Sequence, residues 1–309
     1  MFTIQNIINL KKTETMKKLL FTTLILFAGF SFATAQVNLS FNPKEDTKYE
    51  YKMEITQNMK QTAMGYEIPM THKTVTAFDM AVQEKSAAGT KINFVYTEIV
   101  YELSSTMMNI KYDSKKPSDD TSQVDAMMGK VFGSIIGKSF QAVIAPDGSV
   151  ISVSGFNAIV EDLIKNMGDD SQSQMFEQAL EQQFSDEAIK TMLEQYMKIY
   201  PGKTIKKGDS WIVKQNTDAM GMTTTIKSKY TLKSADKKVA FTDVTSTIDG
   251  MDGAITGTQQ GTVEFDVETG LVKTSVINQK MKGTMSANGI DIDIDMDSKA
   301  IVTTTEKSN

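Results

Sequence analysis

The chain has 309 residues, 40% hydrophobic and 23% charged, an ordinary globular mixture long enough for one large or two ordinary domains. It contains no cysteine, which removes disulfides, thiolate catalysis and lipid attachment through a cysteine. All 33 basic residues are lysines; without arginine's planar fork the chain lacks the usual reader of phosphates and guanine edges, and no nucleic-acid partner is expected.

The first segment reads as an export signal. Met16-Lys17-Lys18 is followed by an apolar run from Leu19 to Phe32 and then by Ala33-Thr34-Ala35 before Gln36. These are the basic, apolar and small-residue parts of a secretory leader, and they predict cleavage between Ala35 and Gln36. Residues 1–15 lie upstream of a complete leader, which makes Met16 the expected start. The apolar run is short of the roughly twenty residues that span a bilayer, so no stable transmembrane segment is expected after cleavage. Removing residues 1–35 takes away four lysines and one glutamate, leaving 29 lysines against 37 carboxylates. That acidic balance disfavours nonspecific attachment to nucleic acid or to an anionic membrane. The expected location is outside the cytoplasm: periplasmic, associated with the outer envelope, or extracellular.

The remaining chain, 36–309, is predicted to be a single β-rich domain with a helical insertion at about 122–200. After Val37–Phe41, apolar residues fall at every second position through Tyr49, Tyr51, Met53 and Ile55, the pattern of a half-buried strand. A turn at Ala63-Met64-Gly65, a strand from Thr74 to Val82, and a strand from Thr90 to Leu103 that is apolar on both faces follow; Met108–Tyr112 adds another. Lys115–Asp120 is a polar loop broken by Pro117.

Helical spacing then appears. Val124, Met127, Met128, Val131, Phe132, Ile135 and Ile136 mark one helix; Phe156, Ile159, Val160, Leu163, Ile164 and Met167 mark another. Between them, Pro146-Asp147-Gly148 makes a tight hairpin turn. Met175, Phe176, Ala179, Leu180 and Phe184 predict a Gln-rich helix, and Ser185 is placed to cap a last one running to Tyr200. Each helix has one apolar side and needs a surface to cover it. The predicted class is therefore α+β: a large curved antiparallel sheet, half-barrel-like, packed on a central insertion of amphipathic helices.

Alternation resumes at Asp209–Val213, which holds the only tryptophan, Trp211. Ile226, Ser228, Tyr230 and Leu232 alternate with Lys227, Lys229, Thr231 and Lys233, giving one wet face. Strands at about 238–248, 254–267, 271–285 and 290–304 are joined by Asp249-Gly250, Glu268-Thr269-Gly270 and Asn288-Gly289, the signature of an antiparallel meander. The helical region, the lysine-bearing strand faces and a last strand without an aromatic girdle argue against a transmembrane barrel.

Candidates for chemistry are few. The single histidine, His72, lies in a Thr- and Lys-rich strand and reads as exposed; no nucleophile elbow or metalloprotease helix accompanies it, so no catalytic residue and no cofactor is assigned. Asp291, Asp293, Asp295 and Asp297 share one strand face about 7 Å apart, a weak set of candidate calcium ligands. An EF-hand needs glycine at its sixth position and an acid at its twelfth, where Met296 and Val302 stand. A solvated face that blocks edge pairing explains the same four residues. The 21 methionines suit a flexible core or an adaptable apolar surface.

Phe41-x-Pro43 with Tyr49-x-Tyr51, the Gly148-to-Gly155 passage, Gly208-Asp-Ser-Trp211 and Asp266-x-x-Thr269-Gly-Leu271 together resemble a family of uncharacterised exported bacterial proteins. The resemblance implies export and a β-rich fold, and it carries over no activity and no site residues. Three readings follow. The first is a non-enzymatic cell-envelope protein that takes a hydrophobic small molecule or lipid between sheet and helices. The second is a surface interaction or scaffold protein; an envelope hydrolase is a third and weaker one.

Overall fold

The computed structural model describes residues 36–116, 123–165, 184–219, 222–287 and 289–308. Gln36–Asn309 is one compact unit. The leader and the helix read at 175–184 fall outside the described residues, apart from Phe184.

A short pair, β1 (Gln36–Val37) with β8 (Ile205–Lys206), stands beside one twelve-stranded antiparallel sheet. The first meander of that sheet comprises β2 (Lys48–Ala63), β3 (Tyr66–Lys85), β4 (Thr90–Ser105), β5 (Asn109–Asp113), β6 (Ser139–Ile144) and β7 (Val150–Ser154). The second comprises β9 (Ser210–Ala219), β10 (Met222–Ala235), β11 (Val239–Gly250), β12 (Ile255–Asp266), β13 (Val272–Ala287) and β14 (Ile290–Glu306). The two meanders are fused by pairing of β2 with β14, from Ile292 opposite Ala63 to Glu306 opposite Tyr49. The spatial order is β7-β6-β4-β3-β2-β14-β13-β12-β11-β10-β9, with β5 also on β4.

The strands are longer than apolar alternation alone marks. β3 begins at Tyr66 and includes Pro69, which faces Lys60 of β2. The pairing of β3 with β4 reaches only as far as Met70 opposite Ser105. Pro69 therefore sits where the other side of β3 is open and no ladder donor is needed.

Three helices occur among the described residues: α1 (Gln123–Ile135), α2 (Phe156–Lys165) and α3 (Asp186–Met197). Ser185 caps α3 by accepting from the Ala188 amide at 3.2 Å. The predicted α+β class is overturned. The protein is mostly β, its helices are 13, 10 and 12 residues long, and they do not form a central layer on which the sheet is built.

The distribution of core residues explains the correction. One buried cluster joins Phe78, Phe94 and Phe140 of the first meander to helical residues such as Phe156, Ile159 and Leu193. A second cluster, under the second meander, contains Leu232, Val244 and Phe265 and no helical residue; Val37, Leu39, Ile199 and Ile205 close it instead. The helices satisfy only their own narrow apolar stripes, so they cover part of the first meander, and only the end of α3 reaches the second, where the Gln215 side chain donates to the Gln195 carbonyl at 2.6 Å.

Trp211 ties the segment after α3 to the second cluster. It is buried, stacks on Tyr230 at 5.3 Å, and donates its Nε1–H to the Ile199 carbonyl at 2.8 Å. Trp211→Phe keeps an aromatic ring but leaves that carbonyl unmet, and a loss of about 1–3 kcal/mol is expected in chemical denaturation.

Candidate functional site: an uncharged trough

Cross-strand register lines up one face of the sheet into rows. Ile55, Ala300, Ile277, Gly261, Val244 and Tyr230 form a row across β2, β14, β13, β12, β11 and β10. The next row is Gln57, Ser298, Gln279, Gln259, Ser246 and Ser228, and the one after it Met59, Met296, Met281, Gly257, Ile248 and Ile226. Because side chains alternate with a period of two, all three rows lie on one face. On these six strands that face carries no lysine, aspartate or glutamate until Glu306 at the foot of β14.

The other face holds the charge. Lys282 meets Asp295 at 3.1 Å, Lys280 meets Asp297 at 3.7 Å, and Lys233 meets Asp243 at 3.0 Å. Asp293 accepts from the Thr284 hydroxyl at 2.6 Å, and Asp291 from Ser286. The four aspartates of β14 are thus engaged one by one with β13. Among the described residues no group of three or more carboxylates and histidines converges on a point where a metal ion could sit. Gln36, on the mature side of the predicted cleavage, pairs with Lys206 in β1–β8, while Ala35 lies outside the described residues.

The uncharged face bends into a trough. In the β12–β13 ladder a side chain has no room: a Cβ on Gly261 would stand 2.0 Å from the Val276 carbonyl oxygen, and one on Gly257 2.6 Å from that of Lys280. Glycine at these points lets the two backbones approach and the sheet curl. The segment after α3, with Ile199 and Tyr200, closes over the trough together with Phe41.

A cavity of about 320 Å³ remains beneath them, walled by the inner row and by the glutamine and serine row. A second cavity of about 200 Å³ adjoins it under β2, β3, β4, α1 and α3, walled by Phe78, Phe94, Tyr96, Phe132 and Leu193 among others. Tyr51, Met53, Tyr196 and Met197 border both spaces. Among the described residues no charged side chain lines either one. Burial raises the Tyr51, Tyr96 and Tyr200 phenols well above their ordinary range and that of Tyr230 to about 12, so these groups stay neutral at physiological pH.

His72 is not the exposed strand residue expected from its neighbours. It continues the glutamine row onto β3, opposite Gln57, with Nδ1 3.0 Å from Gln57 Oε1 and its ring 4.8 Å from that of Tyr101. Its Nε2 is buried and has no hydrogen-bond partner among the described residues. Burial lowers the His72 pKa below its ordinary 6.5. The unfolded chain therefore takes up this proton at a higher pH than the folded one, and the stability linked to His72 is present above 6.5 and lost as pH falls from there through the lower folded value. Thermal melts should show a smaller drop between pH 7.5 and 5.5 in His72→Gln than in the parent.

The two ends of the sheet differ. The hairpin tips at one end expose Met64, Tyr66, Met107 and Met251, which are 72%, 76%, 78% and 37% accessible. The turns at the other end expose more charge, as in Lys44-Glu45-Asp46, Lys206-Lys207 and Asp236-Lys237-Lys238, against Glu67 and Asp252 at the methionine-bearing end.

The profile of a family of unknown function, DUF6263, matches residues 87–272. This chain belongs to the DUF6263 family. The match takes in the Gly148-to-Gly155, Gly208–Trp211 and Asp266–Leu271 motifs, while Phe41 and the tyrosines of β2 lie before it. No curated protein matches this DUF6263 chain.

Among solved structures, a lipovitellin studied for lipid–protein interactions superposes with a TM-score of 0.46 at 5% identity, over 86% of this chain and 26% of its own. The DUF6263 chain thus spans about a quarter of that protein's length. The β domain of the Bordetella autotransporter BrkA gives 0.31 at 7% identity, covering 82% of this chain and 98% of its own. TodX, a monoaromatic hydrocarbon channel, gives 0.33 at 9% identity over 88% and 96%. With scores below 0.5, none of these carries an argument about DUF6263.

Proposed function

We propose that this protein is an exported, non-enzymatic component of the cell envelope that holds an apolar or lipid ligand in the trough. The observation that supports it is the absence of charge, as far as Glu306, from one face of six adjoining strands, beside two cavities that share Tyr51, Met53, Tyr196 and Met197. A sheet that needed only solubility on its second face would carry lysine or carboxylate there, as the outer face does. Ligand sites are concave, mostly apolar and furnished with a few polar groups, in the size range of roughly 300–1,000 Å³.

Export rests on the leader at Met16–Ala35. The Met107-Met108 tip, whose neighbours Ser105, Thr106 and Asn109 are uncharged, supports approach to a lipid surface, since flexible thioether side chains enter an apolar medium without burying a charge. Titration with a fluorescent apolar probe should show saturable binding that a long-chain lipid displaces. A protein that captures no probe yet retains an envelope protein in pull-down is the scaffold of the second reading instead.

A further inference from the structure

We propose that the ligand is an uncharged lipid whose ester or amide group docks on the glutamine row, between two apolar segments of the trough. This rests on the ligand-binding reading above and narrows it to a chemical class.

The row is a string of neutral donors and acceptors. Gln259 donates its Nε2–H to Gln279 Oε1 at 2.7 Å, the Gln57 side chain bonds His72 at 3.0 Å, and Ser228 bonds Ser246 at 2.8 Å. A glutamine has two donors and an acceptor oxygen with two lone pairs, and these pairings use only part of that capacity. Gln57, Gln259, Gln279 and Ser298 all line the larger cavity. What they offer is the complement of a carbonyl, an amide N–H or a hydroxyl.

What they lack is a cation. A carboxylate or phosphate seated here leaves water without meeting a lysine, and burying an unpaired charge is far costlier than burying a hydrogen-bonded neutral group. Lysine Nζ groups lie on the opposite face, engaged with acids there. His72 supplies no charge at neutral pH, because burial holds its pKa down.

The position of the row matters as much as its chemistry. A head-group site at the mouth of a cavity would have water beyond it. Here the methionine and isoleucine row follows on the outer side, and Met296 and its neighbours on β2 and β13 are buried or half-buried. Hydrogen-bonding groups with apolar surface on both sides suit a linkage inside a lipid better than a charged end.

The test compares ligands of one acyl chain length: a monoacylglycerol, the free fatty acid at pH 8, and the lysophosphatidic acid, each displacing an apolar fluorophore. The expected result is at least tenfold tighter binding of the monoacylglycerol than of either anion. In Gln259→Leu the monoacylglycerol should weaken at least tenfold, whereas Lys299→Glu, on the opposite exposed face, should leave its affinity as in the parent. Equal or tighter binding of the anions in the parent protein overturns the proposal without any variant, and leaves the ligand-binding reading standing. Unchanged monoacylglycerol affinity in a folded Gln259→Leu also overturns it. Failure of the parent to bind the fluorophore or any of the three lipids overturns the ligand-binding reading and this inference with it.

Discussion

Gly270→Ala should destabilise the protein by at least about 3 kcal/mol, among the larger effects a single substitution produces. Gly270 has φ +69°, and a Cβ there would stand 1.8 Å from the Ser40 carbonyl oxygen, a backbone atom that no rotamer change can move. The left-handed conformation alone costs a residue with a Cβ roughly 1–2 kcal/mol.

The larger part of the cost comes from what this turn joins. The Asp266 carboxylate accepts from the Thr269 amide and hydroxyl, each at 2.8 Å, and the Gly270 amide bonds the Asp266 carbonyl at 2.8 Å. The Thr269 carbonyl accepts from Asn42, the Gly270 carbonyl from the Tyr200 hydroxyl, and Phe41, next along, donates to the Pro146 carbonyl. Alanine at 270 pushes apart the β12–β13 turn and the segment that runs from it to the β6–β7 turn. For a chain of this size 1 kcal/mol corresponds to roughly 2–4 °C, so a fall in Tm of about 6–12 °C is expected by calorimetry.

The second large effect concerns ligand rather than fold. Ala300 sits in the middle of β14 between Ile55 and Ile277 and lines the larger cavity. Ala300→Glu places a carboxylate where no cation can reach it and fills part of the space. Apolar-probe affinity should fall at least about 100-fold, the equivalent of about 2.7 kcal/mol. Its neighbour Lys299 points out of the opposite, exposed face, so Lys299→Glu should leave probe binding unchanged although it alters net charge twice as much. Equal losses in both variants would mean that overall charge, and not the trough, controls binding.

Much of the β-architecture is legible in the sequence because alternation is local. Ile226, Ser228, Tyr230 and Leu232 announce their face without knowing their partners, and the turn at Pro146-Asp147-Gly148 carries its own chemistry. The turn expected at Asp249-Gly250 is displaced: both residues are still in β11, opposite Thr256 and Ile255, and the chain reverses at 251–254. The trough is not legible, because it exists only in the register. Nothing in the sequence places Gln57 beside Ser298, or Met59 beside Met296; only the fusion of the first long strand with the last does so.

The same blindness explains the misreadings. Thr71 and Lys73 made His72 look exposed, but neighbours on a strand point the other way, and His72 shares its face with Met70 and Thr74. The aspartates of β14 do share a face, as their spacing requires, yet the lysines that meet them belong to β13 and become neighbours only through pairing. The helical stripes are equally real at Ile189, Leu193 and Met197, but periodicity measures which side is buried and not how much of the protein is organised around it.

The most direct test is native mass spectrometry of the protein purified from its native cells without organic solvent. The account predicts a fraction carrying one uncharged lipid-sized adduct that collisional activation removes. Polypeptide at its bare mass in every charge state, before and after incubation with envelope lipid, would contradict it.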